Sequence, residues 1–428
     1  MFSMNYAFVI NLCKLIKEKY PKTFIVFGGT HVTSLPEYCL KSENVDFIIL
    51  GESEYKFLRL CQSLSKNNWK IKQSEIKKIK GVGYKTSSRL IINKEIELIK
   101  NIDLLPYPDW DGISMKNYFS LKQSHSSLRY DKWAIMLFSR GCPYNCSFCN
   151  TPYIWRKKWR VRDPIKVVDE ILHLQKKYGI KEIHFEDENM GTDPKKLELF
   201  CDELMKRKIK INWQAANGMR PNGLNKNLLS KMLKSGCTNI ILAPESGSKK
   251  VLDKILNKSL NLNDIIRVFK IANKLNLKTT AYFIMGLPGE KKEDIKKTIK
   301  FAIRCAKIGV DECVISLFVP LPGSKIFYNL CETNKIKINE SFFKSLVSIG
   351  DLNRVKSWSE HISDNELKRY RLIGYLWFYI TKSIFHPIKV LHSILNIACG
   401  KQELKTERFI ISKLRKIFNS TKLDGGYL

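Results

Sequence analysis

Apolar and polar positions follow two rhythms along this chain. From Ala7 to Tyr20 apolar residues recur at helical spacing, and Thr23–Phe27 is a short apolar run that reads as a strand. Gly28-Gly29-Thr30-His31 follows it. A second run, Val45–Leu50, leads into Gly51-Glu52-Ser53-Glu54 and then a helix over Tyr55–Leu64. Helix alternating with buried-type strand predicts a parallel α/β sheet over residues 1–100. Two strands are fewer than a complete doubly wound domain carries, so this domain is expected to be cut short at its N-terminus. The prolines of Leu104-Leu105-Pro106-Tyr107-Pro108 mark a linker over 101–130.

The strand–helix rhythm strengthens over residues 131–330. Strands are predicted at Ala134–Ser139, Glu182–Glu186, Asn212–Ala216, Asn239–Ala243, Thr279–Met285 and Cys313–Phe318. Asp163-Pro164 starts a helix with an acidic cap and a proline in the favoured first position, and Gly179 stops it. Repeated βα units predict a parallel partial barrel, (β/α)6, with fewer strands than a closed barrel needs. The missing strands leave a lateral opening suited to a large substrate.

Residues 331–428 are predicted to form a helical C-terminal region. Leu372–Ile380 is apolar and rich in Tyr and Trp, and Ile388–Cys399 reads as a further helix. Lys382 and Lys389 interrupt the run before it is long enough to span a bilayer. A cap packed on the barrel is the plainer expectation; peripheral membrane contact is the sharper one.

Composition adds limits. The chain has 428 residues, 44% of them hydrophobic, and a net charge of +33. Lysine dominates and is spread throughout, with no basic run interleaved with aromatics, so nucleic acid is not the expected partner. Met1–Ile10 lacks the basic start of a signal peptide. A cytoplasmic protein is expected, with association at a membrane surface left open; the oligomeric state is not legible. Most of the 12 cysteines stand singly in apolar segments, as Cys13, Cys61, Cys201 and Cys305 do, and read as small core residues.

One group differs. Arg140-Gly141-Cys142-Pro143-Tyr144-Asn145-Cys146-Ser147-Phe148-Cys149-Asn150 places three cysteines together directly after a strand. Thiolates are the ligands of iron–sulfur clusters, and three local ligands leave one corner of a [4Fe–4S] cube open to chelation. Structural zinc prefers paired C-x2–4-C patterns, and no second pair lies at the expected distance. Two-cluster ferredoxins use a different spacing.

CxxxCxxC after the first barrel strand, with an aromatic before the last cysteine, resembles the radical S-adenosylmethionine (SAM) superfamily. The resemblance implies that Cys142, Cys146 and Cys149 hold the cluster and that Phe148 packs near the SAM adenine. It also implies that reductive cleavage of SAM yields a 5′-deoxyadenosyl radical. Phe185-Glu186-Asp187-Glu188-Asn189 ends the second strand, where the family receives the SAM amino group, so Asp187 and Glu188 are expected there. Ala243-Pro244-Glu245-Ser246-Gly247-Ser248 resembles the family's Glu-Ser-Gly-Ser, implying SAM contacts from Glu245 and Ser246. Gly286-Leu287-Pro288-Gly289-Glu290 is similar to a turn whose backbone lies beside the adenine, implying a contact from Gly286.

That turn and Pro320-Leu321-Pro322-Gly323-Ser324 resemble the members that carry a cobalamin-binding domain in front. Gly28, Gly29, His31 and Gly51 then stand at cobalamin-side positions. No DxHxxG element supplies a lower axial ligand, and His31 reads as a turn residue. The implied function is a radical SAM enzyme, with cobalamin-dependent C-methylation of a small molecule or lipid among its reactions. A reductant such as flavodoxin or ferredoxin is the implied partner. The competing expectations are a methylthiotransferase, or an impaired fragment needing a separate cobalamin-binding partner. Cys13, Cys39 and Cys61 match no additional cluster pattern of the former.

Overall fold

The computed structural model describes residues 2–86, 89–121, 124, 126–346 and 354–423, with side chains described to residue 414. The first layer is a four-stranded sheet in the order β1 (Val26–Gly28), β2 (Phe47–Ile49), β3 (Val82–Lys85), β4 (Leu90–Ile92). β1 and β2 are parallel, pairing Val26 with Phe47, as the apolar runs predict. β3 and β4 continue the sheet antiparallel, which the sequence pattern did not reveal. These strands are short, and Gly83 interrupts the alternation because a Cβ there would meet Ile48 at 2.8 Å. Helices α1 (Tyr6–Lys19) and α2 (Glu54–Lys66) flank the sheet.

The stretch read as a linker is partly packed into the protein. Met115 is buried in the main core, and Ser126 is buried with its hydroxyl donating to Gln214 Oε1 at 2.7 Å. Six parallel strands follow: β5 (Trp133–Met136), β6 (Glu182–Phe185), β7 (Asn212–Ala215), β8 (Asn239–Glu245), β9 (Lys278–Met285) and β10 (Glu312–Leu317). They form two three-stranded sheets, β5-β6-β7 and β8-β9-β10, bridged at Trp213–Cys237 and Met219–Leu242.

The helices that alternate with them are α3 (Pro164–Tyr178), α4 (Pro194–Lys206), α5 (Lys226–Lys234), α6 (Leu262–Lys274) and α7 (Lys292–Lys307). α3 starts on the Asp163 cap and stops at Gly179, whose φ is +68°. Ile183, Phe185, Trp213, Ile240, Leu242, Phe283 and Ile315 alternate outward into one core shared with these helices. The intervening residues face the barrel lumen, and many are polar: Glu182, His184, Gln214, Asn239, Thr280 and Glu312 are all buried.

Beyond the barrel lie α8 (Lys325–Glu332), α9 (Asp364–Phe385), α10 (Pro387–Ala398) and α11 (Lys405–Leu423). α9 opens on a capping box of Ser363 and Glu366. Gly374, in its middle, lets the helix lie directly on β10: a Cβ would meet Ile315 at 2.6 Å. Among the described residues no helix is long and apolar enough to cross a membrane.

Candidate active site at the mouth of the barrel

The cysteine loop leaves β5 through a turn that only glycine permits. Gly141 has φ +88°, and a Cβ there would lie 2.1 Å from the Lys158 carbonyl oxygen. The loop is then sewn to the far side of the barrel. Ser147 N donates to Leu256 O at 2.9 Å, Asn257 Nδ2 to Asn145 O at 2.9 Å, and Ile326 N to Ser147 O at 3.0 Å. Ser147 Oγ also donates to Ile255 O, at the end of the π-helical turn Val251–Ile255.

Cys142, Cys146 and Cys149 are all partly buried and free of disulfides. Burial pushes the Cys149 thiol up to about 11 and raises that of Cys142, so binding iron must displace their protons. A cation stands beside the loop: Arg220 Nη2 lies 3.7 Å from Cys146 Sγ, and its guanidinium sits 3.5 Å above the Tyr144 ring. Three soft anionic donors on one loop, beside a guanidinium, fit a [4Fe–4S] cluster with three protein ligands. Among the described residues no three His, Cys, Asp or Glu side chains close round a single ion. A cube bonds each thiolate to a different iron and does not ask for that convergence.

Two acids at the end of β6 brace this loop. Asp187 is 1% exposed; Oδ2 accepts from Phe138 N at 3.0 Å, and Oδ1 accepts from Ser139 N and Ser139 Oγ. Burial pushes its pKa up to about 7, against those hydrogen bonds. Glu188 accepts from Gly141 N at 3.0 Å and from Trp155 Nε1 at 2.5 Å. Both carboxylates, expected from the family resemblance near the SAM amino group, are engaged in fixing the cluster loop.

Glu245 comes from a β-bulge that shifts the register of β8 between Leu242 and Glu245. Its φ is +62°, a conformation that costs a non-glycine residue about 1–3 kcal/mol and that the surroundings must enforce. Lys258 Nζ holds its carboxylate at 2.7 Å and also donates to Ala243 O at 2.7 Å. The Lys258 carbonyl accepts from Arg220 at 2.6 Å. Glu245, Lys258, Arg220 and Cys146 therefore form one connected polar chain. Lys258 and Arg220 were not anticipated from the sequence. The available signal was Gly218-Met219-Arg220-Pro221 at the end of the third barrel strand.

Two further residues expected at SAM are also tied into the protein. Ser246 is fully buried, with Oγ 2.9 Å from Thr298 Oγ1 and accepting from Ser248 N at 3.1 Å, which packs the turn onto α7. Gly286 (φ +87°) donates to Glu290 Oε2 at 2.7 Å and accepts from Trp358 N at 3.1 Å, and a Cβ would strike Leu367 at 2.6 Å. The C-terminal region and α7 pack on these turns. Phe148 packs into the second apolar cluster, which also contains Leu287 and Phe318.

The first sheet touches the same loop. Glu52, buried in the turn after β2, receives Arg140 Nη1 at 2.8 Å and Arg160 Nη1 at 2.7 Å. Burial alone would raise its pKa, but hydrogen bonds from Arg160 and Arg140 outweigh that and hold it below the usual range. Gly28 ends β1, and Gly29 (φ +98°) and Gly51 (φ +67°) make tight turns after β1 and β2. At Gly51 a Cβ would meet Ile96 at 2.7 Å. His31 is 1% exposed between the Tyr6 and Phe343 rings, with Nδ1 2.8 Å from Ser3 Oγ. Burial pushes its pKa down to about 4.

Residues 136–302 match the radical SAM superfamily. The chain carries a radical SAM domain. Its cofactors are accordingly a [4Fe–4S] cluster and SAM. The chain is 27% identical over 377 residues to an uncharacterized methyltransferase of Pyrococcus horikoshii, covering 87% of this chain and 76% of that protein. It is 27% identical over 388 residues to cytidylyl-2-hydroxyethylphosphonate methyltransferase of Streptomyces wedmorensis, covering 84% and 70%. Its fold is that of the radical SAM methyltransferase TsrM of Kitasatospora setae, solved with cobalamin and a [4Fe–4S] cluster bound. The TM-score is 0.64 at 13% identity, over 78% of this chain and 64% of that one. The radical SAM barrel and the helical C-terminal region expected from sequence are thus both present.

Proposed function

We propose that this chain is a radical SAM methyltransferase acting on carbon in a small-molecule or lipid substrate. The observation that carries the reading is the cysteine loop: three thiols, a neighbouring guanidinium, and bracing from β6, the π-helical turn and α8. When bound, the cluster supplies the single electron that splits SAM into methionine and a 5′-deoxyadenosyl radical. Cys142, Cys146 and Cys149 hold the cluster, and Arg220 offsets its negative charge. Asp187 and Glu188 position the loop. Glu245, fixed by Lys258, is the acid poised at the mouth to meet SAM, with Phe148 beside the adenine. A reductant such as flavodoxin or ferredoxin supplies the electron, and an amphipathic C-terminal face offers contact with a membrane surface.

The methyltransferase relatives favour methyl transfer over methylthio transfer. Cobalamin is a weaker part of the reading. The cleft between the first sheet and the barrel, lined by Thr33, Leu50, Tyr153 and Tyr328 among others, has about 480 Å3, which suits a small ligand better than a whole corrin. His31 is walled in and Gly51 is backed by Ile96, so the described residues offer one wall and no axial imidazole. Weak retention of hydroxocobalamin on gel filtration is expected; tight one-to-one retention would contradict it.

The test of the function is anaerobic turnover with SAM carrying a deuterated methyl group. Formation of 5′-deoxyadenosine and methionine from one SAM, and of S-adenosylhomocysteine from a second whose labelled methyl is found in a product, supports it. A product that gains sulfur as well would favour the methylthiotransferase alternative, and no SAM cleavage at all would contradict both.

A further inference from the structure

The strand order leaves β5 and β10 as outer strands, and protein from outside the barrel fills the gap between them. The first turns of α11 enter it. Thr406 donates to Glu312 Oε1 through its N–H at 2.5 Å and its hydroxyl at 2.6 Å. Arg408 Nη1 donates to the carbonyls of Ser124 and Ser126 at 2.5 and 2.7 Å. Lys405 donates to the Tyr282 hydroxyl, with Nζ 4.9 Å from the centre of that ring. The side chains of both cations hydrogen-bond neutral groups, while the Glu312 carboxylate acts on each through space. Burial pushes Lys405 down to about 8 and raises Glu312 above the usual carboxylate range.

Space remains beside these groups. A cleft of about 950 Å3 is lined by Lys405, Arg408 and Glu312, two cations against one acid, and by Val314, Leu372, Tyr375 and Phe409. Tyr375 and Tyr379 are shared with a second groove of about 590 Å3 that runs over Leu376, Ile380 and Ile384 to the outer face of α9. That face continues onto α10: Trp377, Ile384, Ile388 and Leu391 are 50, 68, 81 and 57% exposed. No acidic residue occurs between Leu372 and Gln402; of the lysines there Lys401 is exposed, whereas Lys382 is buried and Lys389 pairs with Asp311 at 3.2 Å. Large apolar side chains exposed together mark a contact surface, and the absence of acids matches an anionic bilayer.

We propose that the cleft binds an amphipathic anion, a carboxylate or phosphate on an apolar chain, taken from a membrane leaflet on which the α9–α10 face rests. Lys405 and Arg408 hold the acid, and the apolar chain lies along α9 toward the bilayer. This rests on the reading of the chain as a radical SAM enzyme and names the substrate class that reading leaves open.

Oleate is the probe, measured by calorimetry below its micelle concentration on the anaerobic, cluster-loaded protein. Oleate should bind at a single site, and oleyl alcohol about tenfold or more weaker, because the alcohol brings no negative charge to Lys405 and Arg408. Lys405→Met should weaken oleate by about tenfold. Leu372→Trp, which fills the cleft, should abolish binding. Ile388→Glu, on the outer face, should keep oleate binding but lose co-sedimentation with phosphatidylglycerol vesicles. Iron content near that of the unaltered protein shows that each variant is folded. Failure of oleate to bind, equal binding of the alcohol, or unchanged binding by Leu372→Trp would overturn the site. Loss of oleate binding in Ile388→Glu would move the binding to the outer face and overturn it too. Failure of the unaltered protein to sediment with the vesicles, or a dimer formed through this face, would overturn the membrane source. Binding is read without SAM cleavage, so a protein that binds oleate but holds no iron would contradict the enzymatic reading instead.

Discussion

The mouth of the barrel and its lateral opening are built on opposite plans. At the mouth, the cysteine loop is gripped on all sides: Glu188 and Asp187 from β6, Leu256 and Ile255 from the π-helical turn, and Arg140 tied through Glu52 to the first sheet. At the lateral opening the closing segment arrives from the C-terminal region, its cations hydrogen-bond neutral groups with Glu312 nearby, and a cleft of about 950 Å3 stays open. A cluster needs ligands fixed in advance, so its surroundings are filled with protein. A substrate must enter and leave, so its surroundings keep space. Damage at the mouth should therefore remove the cofactor, whereas damage at the opening should spare it.

The largest effect is expected at Gly141. With φ +88° and the Lys158 carbonyl 2.1 Å from any Cβ, Gly141→Ala cannot close the loop without a backbone shift, at a cost of about 3 kcal/mol or more. Most of the iron should be lost, as measured by iron assay after reconstitution. A fully loaded variant would show that the mouth is more pliant than its hydrogen bonds indicate.

Glu52→Gln should come next, lowering unfolding stability by about 3 kcal/mol near neutral pH because two guanidinium groups lose a buried carboxylate. The contribution of Glu52 is present above its unfolded pKa of about 4.3 and disappears as pH falls through its depressed folded value. Denaturant titrations of variant and parent should therefore converge in acid. A gap that persists there would assign the loss to packing.

Glu245→Gln should weaken SAM by about tenfold, measured by equilibrium dialysis, with iron content unchanged. Equal affinity would leave Glu245 as a partner for Lys258 alone. The smallest effect belongs to the opening. Glu312→Gln keeps an acceptor for Thr406 and removes a charge that burial disfavours, so stability near neutral pH should change by no more than about 1 kcal/mol. Because the folded-state pKa of Glu312 is raised, the parent loses stability as pH climbs past the usual carboxylate range, and the Gln variant should lack that decline. A large loss of iron in Glu312→Gln would break the distinction between the two regions.

The same contrast explains what the sequence could reveal. All six barrel strands were legible to within a few residues because apolar positions such as Ile183, Phe185, Ile240 and Leu242 alternate against the helices. The cysteine spacing was legible because its ligands are neighbours in sequence. Arg220 and Lys258 were not, since a bulge in β8 and a π-helical turn bring them to Glu245 and Cys146, and neither feature has a residue code. The packing of Ser246 and Gly286 was not legible either, because local motif says nothing of what packs later: Thr298 on α7 meets one, Trp358 and Leu367 the other. The entry of Lys405 and Arg408 into the opening is more distant still, joining α11 to Ser124 and Tyr282 across the chain.

The central claim is that Cys142, Cys146 and Cys149 hold a [4Fe–4S] cluster. It is tested most directly by iron and sulfide content, with electron paramagnetic resonance of the dithionite-reduced protein, for the parent and the triple Cys→Ala variant. The account predicts about four irons per chain and a reduced-cluster signal in the parent, and neither in the variant. Unchanged iron and an unchanged signal in the variant would contradict it.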